Sequence, residues 1–214
     1  PPPAPAVLEV NFAPVALLAP GVPKPEDNTD VLWEIYAVKP DGTLGERITT
    51  EYNDAKRFVE PGTYKLLAKL GEAQVESDLV LTADTLAAPE IILNAARVII
   101  HPKPSAAEPV SDAAAVNMTG PNDLNTTAFG SSRFYLPAGE VTMTASLGQA
   151  SVTEPLTLAP GDLVERDVII GSGLAVVDGY YIDGMVMDTT QHSVEILEAK
   201  KELDGSQKLV TTSY

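Results

Sequence analysis

Apolar and polar residues alternate along much of this chain. In Tyr64-Lys65-Leu66-Leu67-Ala68-Lys69-Leu70, the residues Tyr64, Leu66, Ala68 and Leu70 share one face of a pleat, while Lys65 and Lys69 face water. Val141, Met143, Ala145 and Leu147 do the same, with Thr142, Thr144 and Ser146 outward. Similar short runs cover residues 7–12, 31–38, 74–81, 91–93, 97–101, 151–158, 164–170, 174–177, 194–197 and 208–212. Turn-forming clusters separate them: Pro40-Asp41-Gly42, Glu60-Pro61-Gly62, Gly120-Pro121-Asn122-Asp123, Ala159-Pro160-Gly161-Asp162 and Asp204-Gly205. Eighteen prolines and fifteen glycines leave little room for long helices. The pattern predicts an all-β protein of short strands, a sandwich in preference to a barrel.

One stretch recurs. Phe58-Val59-Glu60-Pro61-Gly62-Thr63-Tyr64-Lys65-Leu66 aligns with Tyr135-Leu136-Pro137-Ala138-Gly139-Glu140-Val141-Thr142-Met143, an offset of 77 residues (139 − 62). Without a gap, the same offset sets Ala68 on Ala145, Gly71 on Gly148, Val75 on Val152, Leu81 on Leu158 and Ile92 on Ile169. It then sets Val98-Ile99-Ile100 on Ala175-Val176-Val177. Turn glycines and strand period persist together, the mark of a copied unit. A gapped match sets Trp33-Glu34-Ile35-Tyr36 on Val194-Glu195-Ile196-Leu197, Asp41-Gly42 on Asp204-Gly205, and Ile48-Thr49-Thr50-Glu51-Tyr52 on Val210-Thr211-Thr212-Ser213-Tyr214. It assigns 194–199 to a strand, although 194–203 is otherwise the best helix candidate.

The expected organisation is a Pro-rich linker at 1–5, β-sandwich repeats at 6–95 and 96–172, and an incomplete third repeat at 173–214. Each is an immunoglobulin-like or transthyretin-like antiparallel β-sandwich. Gly62 and Gly139 are expected at a turn that needs positive φ or close approach, and Gly71 and Gly148 in hairpin turns.

Trp33-Glu34-Ile35-Tyr36, Pro40-Asp41-Gly42, Glu60-Pro61-Gly62-Thr63-Tyr64, Leu70-Gly71-Glu72-Ala73 and Ile91-Ile92-Leu93-Asn94-Ala95 form a pattern that covers nearly the whole chain. It resembles tandem β-sandwich repeats of uncharacterised alphaproteobacterial envelope or secreted proteins, and more loosely carboxypeptidase-regulatory-like (transthyretin-like) modules. The resemblance implies export and a modular, non-catalytic role, and supplies no catalytic or ligand-binding residue. The second repeat departs from it, with Ala113-Ala114-Ala115-Val116 near the place of Trp33.

Charge narrows the partners. Thirty acidic residues against fourteen basic give a net −16, which repels nucleic acid and anionic lipid. No cysteine is present, so disulfides and thiol chemistry are excluded. No apolar run approaches the roughly 20 residues that span a bilayer. The opening Pro1-Pro2-Pro3-Ala4-Pro5 reads as a polyproline linker of a fragment or of a mature product.

Candidate chemistry is sparse. His101 is expected on an edge strand and His192 in a loop. No Gly-x-Ser-x-Gly elbow and no phosphate-cradling loop occur, and Gly171-Ser172-Gly173 reads as a linker. Asp178, Asp183 and Asp188 could hold calcium at a junction or simply be solvated, and Glu26-Asp27-Asn28-Thr29-Asp30 reads as a solvated connection. Tyr180-Tyr181 and Met185-Val186-Met187 are core of a third sandwich or an adhesive surface. Asn117-Met118-Thr119 and Asn125-Thr126-Thr127 match a glycosylation sequon, a weak signal.

No catalytic, cofactor-binding or metal residue is assigned. The expected function is a non-enzymatic structural or adhesion module of an exported bacterial protein, in the periplasm, at the cell surface or secreted. Its partners are expected to be proteins, with self-association through 173–214 among the contacts. The alternative is a carbohydrate- or other ligand-binding module, which needs exposed rings at Trp33, Tyr36 or Tyr180/Tyr181.

Overall fold

A computed structural model describes residues 8–26, 30–173, 177–188 and 192–213. The Pro-rich start, the middle of the acidic connection and most of the 174–177 run lie outside the described residues. Every regular element among the described residues is a strand. The protein is all-β, built from sandwiches.

The first sandwich contains β1 (Val15–Ala19), β2 (Val22–Pro23), β3 (Leu32–Val38), β4 (Leu44–Tyr52), β5 (Gly62–Leu70), β6 (Ala73–Leu81) and β7 (Glu90–Ile92). A four-stranded sheet in the order β4-β3-β5-β6 faces a three-stranded sheet in the order β2-β1-β7. Trp33, Ile35, Leu66, Ala68 and Leu70 point inward onto Phe12 and Leu18, all buried. The alternation read from the sequence around Leu66 is the alternation of the pleat. Lys65 stays on the outer face, where Asp78 and then Glu76 of β6 bind its ammonium and raise its pKa.

The second sandwich repeats the layout with β8 (Ala95–Lys103), β9 (Ala115–Thr119), β10 (Asn125–Phe129), β11 (Ser132–Pro137), β12 (Gly139–Leu147), β13 (Ala150–Leu158) and β14 (Leu163–Ile169). Its sheets are β10-β9-β12-β13 and β11-β8-β14. Pairing of β9, β12 and β13 matches that of β3, β5 and β6 residue for residue. Gly62 faces Leu81 and Leu70 faces Ala73, while Gly139 faces Leu158 and Leu147 faces Ala150. Phe12 bridges Arg57 on one side and Ala87 on the other; Val98 faces Phe134 and Val164, each 77 residues further on (134 − 57, 164 − 87). Ile35 faces Leu66 as Met118 faces Met143, so Val116 stands where Trp33 stands in the first sandwich.

Three expectations are corrected. Both three-stranded sheets are mixed, because β1 runs parallel to β7 and β8 parallel to β14; the sandwiches are not wholly antiparallel. Residues 8–12 form no strand beyond the Phe12 bridges. Asn11 is instead buried and bonded through its amide to Val59 N, Val59 O and Thr82 O, which pins the segment between two loops. Of the two reasons expected for Gly62, only positive φ is set aside: its φ is negative, and the close approach holds, with the Tyr64 ring 3.1 Å from where a Cβ would sit. Gly139 does carry positive φ, at 136°.

The two sandwiches share a joint. Along β11, Phe134, Tyr135 and Leu136 are all buried. Successive strand residues point to opposite faces. Phe134 and Leu136 enter the second core, and Tyr135 enters the first. Its cross-strand neighbours do likewise, with Ala95 in the first core and Ala96 in the second. Backbone bonds close the joint: Glu72 N donates to Tyr135 O at 2.9 Å, Ala138 N to Asn94 O at 2.8 Å and Gly161 N to Ala95 O at 2.8 Å.

Candidate functional site

The remaining strands are β15 (Tyr180–Ile182), β16 (Met185–Val186), β17 (Val194–Lys201) and β18 (Gln207–Ser213). They form two separate hairpins, β15-β16 and β17-β18. Both reproduce hairpins of the first sandwich. In β3–β4, Trp33 faces Glu51, Ile35 faces Thr49, and a bulge then sets Tyr36 on Arg47. In β17–β18, Val194 faces Ser213, Ile196 faces Thr211, and a bulge at the same step sets Leu197 on Leu209. In β1–β2, Leu17 faces Pro23 and Ala19 faces Val22 around Gly21; in β15–β16, Tyr180 faces Val186 and Ile182 faces Met185 around Gly184.

The turns agree as well. Asp41 accepts bonds from Thr43 Oγ1 at 2.7 Å and Thr43 N at 3.0 Å. Asp204 accepts the same pair from Ser206, at 2.6 Å and 2.9 Å. Hydroxyl donation, then amide donation, holds each carboxyl below its usual pKa. A carboxyl depressed on folding stabilises the turn while ionised, above the unfolded value of about 3.9. That contribution disappears as pH falls through the lower, folded value. An NMR titration of the Thr43 and Ser206 amides is therefore expected to give midpoints below about 3.9. Asp204→Ala should abolish the Ser206 step and leave that of Thr43. Midpoints at or above the unfolded value would show that the bonds do not favour the ionised turn.

Burial separates copy from original. Ile35 and Leu18 are 0% exposed, whereas Ile196 is 40% and Tyr181 54% exposed at the matching places. Tyr180, Ile182, Met185, Val186, Leu197 and Leu209 are exposed too. Tyr180-Tyr181 and Met185-Val186 are thus exposed among the described residues. These exposed apolar side chains make the two hairpins the candidate contact region.

The other candidates are dispersed. Trp33 is buried and its Nε1 donates to Asn53 O at 2.8 Å. Tyr36 is half-buried, its hydroxyl donates to Glu34, and burial followed by that bond raises its pKa. Asn117 spends its amide on Asn125 Oδ1, Thr126 O and Thr127 Oγ1, a cross-strand ladder between the two sequons. His192 Nδ1 lies 2.9 Å from Asp188 O.

His101 is not on an edge strand, because β8 runs between β11 and β14. Its Nδ1 lies 2.7 Å from Ser131 Oγ and its Nε2 3.2 Å from Glu165 Oε1. These are the residue types of a nucleophilic triad. They lie, however, on the outward face of a sheet, beside the Lys103–Asp167 pair, with Glu165 largely exposed. The bonds there act as a cross-strand ladder.

A cleft of about 670 Å³ opens in the first sandwich, lined by Glu26, Asp30 and Asp54 together with Lys24 and Trp33. Among the described residues, no three His, Cys, Asp or Glu side chains are grouped to hold a metal ion, so Asp178, Asp183 and Asp188 are not brought together. No helix among the described residues is long and apolar enough to cross a membrane.

No protein-family model matches the chain, and no curated protein matches it. Solved structures do. The Bacillus anthracis TIE protein is 12% identical over 74% of this chain and 33% of its own, with a TM-score of 0.30. A streptococcal ancillary pilin is 11% identical over 73% of this chain and 61% of its own, with a TM-score of 0.33. A C-terminal fragment of the pilus adhesin SpaC from Lactobacillus rhamnosus GG is 10% identical over 79% of this chain and 99% of its own, with a TM-score of 0.30. This chain thus spans a third of the first and about three fifths of the second.

Proposed function

We propose that the chain is a non-enzymatic structural or adhesive module of an exported bacterial protein, in which stacked β-sandwich repeats act as spacer and the open third repeat as contact surface. The observation that carries this reading is the joint at β11, one strand buried on both faces by two different cores. Such a joint transmits orientation from one sandwich to the next, which a spacer requires and a flexible linker does not provide. The exposed hairpins β15–β16 and β17–β18 then present apolar surface for protein contacts, including self-association. The acidic balance keeps such a surface away from nucleic acid.

The carbohydrate alternative has less support. A sugar platform needs neighbouring rings on one face, but Trp33 is interior and Tyr36 is half-buried with its hydroxyl bonded to Glu34.

Spin labels test the spacer reading directly, since the chain has no cysteine of its own. Val80→Cys and Phe129→Cys place one label on each sandwich, at exposed strand positions. Pulsed electron–electron resonance is expected to return one narrow distance distribution. A broad one would mean that the sandwiches swing freely and would end the spacer reading.

A further inference from the structure

The outermost strands of the two sandwiches are guarded, with one exception. β4 carries Glu46, Arg47 and Glu51 and bulges against β3. β6 carries Glu76 and Asp78, β13 carries Glu154 and Pro155, and β14 carries Glu165-Arg166-Asp167. β2 and β7 are only 2 and 3 residues long, and β11 carries Arg133 and lies in the joint. Charge, proline, bulges and very short strands are the devices that keep a sheet edge from pairing. β10, Asn125-Thr126-Thr127-Ala128-Phe129, has no charge and no proline, and it pairs with β9 without a register shift.

Its main chain is turned to pair. Gly120 N donates to Leu124 O and Gly130 N to Ala114 O, at the two ends of the β9–β10 ladder. Bonded pairs recur at every second residue of an antiparallel ladder. Residues 126 and 128 therefore aim their backbone groups at β9, and Asn125, Thr127 and Phe129 aim theirs outward. No strand among the described residues takes these up. The repeat itself supplies none: all of 95–170 is described, and β4 is likewise outermost at the same place in the first sandwich.

We infer that β10 pairs antiparallel with β10 of a second copy, about a two-fold axis at Thr127. Three features of this edge select a second copy. The strand is complementary to itself: with Thr127 facing Thr127, Asn125 faces Phe129, so each outward residue meets another outward residue and exchanges both bonds. The Phe129 ring, 67% exposed, then lies diagonally beside Thr127 of the other copy. Charge points the same way. Two chains of net −16 repel wherever charged faces meet. Behind β10, however, the outer face holds Thr119, Asn117, Ala115, Thr142 and Thr144, none of them ionisable. The matching face of the first sandwich carries Glu34, Arg47, Lys65, Glu76 and Asp78. A charged partner strand would find no counter-charge on the second sandwich's face. Finally, the side chains leave the edge clear, because Asn117 Nδ2 donates to Asn125 Oδ1 and Thr127 Oγ1 and draws both back over β9.

The inference makes no use of the third repeat. A strand of 5 residues gives a small interface, so pairing is weak and depends on concentration. In sedimentation velocity over a rising concentration series, the full chain is expected to shift from monomer towards dimer. Thr127→Glu sets two carboxylates face to face at the axis and should weaken dimerisation by about tenfold or more. Thr153→Glu, on the same face but on β13, should leave it within about threefold. A second arm uses the absence of native cysteine. Mixed Asn125→Cys and Phe129→Cys chains should form the heterodisulfide faster than either forms its own, since 125 meets 129 at a Cα spacing of about 5.5 Å, which a disulfide spans. That result fixes the register even if the glutamate variant folds poorly. The pairing is overturned by sedimentation that does not change with concentration, by equal losses in Thr127→Glu and Thr153→Glu, or by cysteine chains that couple to their own kind as fast as to each other. Spin-labelled chains diluted with unlabelled ones report distances within one chain only, so the spacer reading stands or falls separately.

Discussion

Tyr135→Ala is expected to lower the stability of the first sandwich by about 3–5 kcal/mol, although Tyr135 belongs to a strand of the second. The ring is 2% exposed and packs in the first core. Truncation leaves a cavity between two sandwiches, which collapse closes poorly because β11 is fixed from behind by Phe134 and Leu136. Trp33 provides the readout. It is the chain's one tryptophan and lies in the first core, so its fluorescence in a urea titration reports that sandwich alone. The midpoint should fall sharply, and the transition should separate from that of the second sandwich followed by circular dichroism. Phe58→Ala, at the matching place in the first sandwich and only half-buried, should have a much smaller effect. An unchanged Trp33 transition in Tyr135→Ala would show that the joint does not couple the two.

The second large effect is a contrast between two glycines. Gly71 and Gly148 occupy matching two-residue hairpin turns with φ of 56° and 58°. Alanine at either takes on the strain of a left-handed residue, about 1–2 kcal/mol. At Gly148 nothing lies within 4 Å of the new Cβ. At Gly71 the Cβ would sit 2.8 Å from Tyr135 O, the carbonyl that accepts the Glu72 N–H. β11 must then shift or lose that bond, for a further 1–3 kcal/mol or so. Gly71→Ala is therefore expected to destabilise by about 3 kcal/mol or more, and Gly148→Ala by about 1–2. Equal losses in calorimetry would argue that the joint yields to the extra carbon.

Sequence reading served the centre of each sheet better than its margins. The alternation in β5, β6, β12 and β13 is visible because each buries one face fully, and both hairpins fall within two residues of the predicted runs. The edge strands β4 and β10 escape notice: Gly45-Glu46-Arg47 and Asn125-Thr126-Thr127 have few apolar residues because one flank meets water. Parallel pairing of β8 with β14 is decided by residues some 65 positions apart (163 − 97 is 66), beyond any local pattern.

The contact site was half legible. Matching Trp33–Tyr36 to Val194–Leu197 found β17, whereas Tyr180-Tyr181 and Met185-Val186-Met187 were read as one first strand and their hairpin form was missed. Its signal was the spacing of one small loop: Ala19-Pro20-Gly21-Val22 against Ile182-Asp183-Gly184-Met185, both with a glycine in the left-handed region. The joint, too, left a trace. Phe134-Tyr135-Leu136 breaks the alternation of a one-faced strand, as a strand enclosed on two sides does.

That doubly enclosed strand also sets an order of events. A chain emerging from its N-terminus completes β7 before β11 exists, so the first interior lacks a wall while its own segment is already synthesised. Closure of residues 8–93 waits for Tyr135 to arrive, whereas the second core draws on residues 96–170 alone. The first interior is therefore held open during synthesis and closes only once the second sandwich has begun to form.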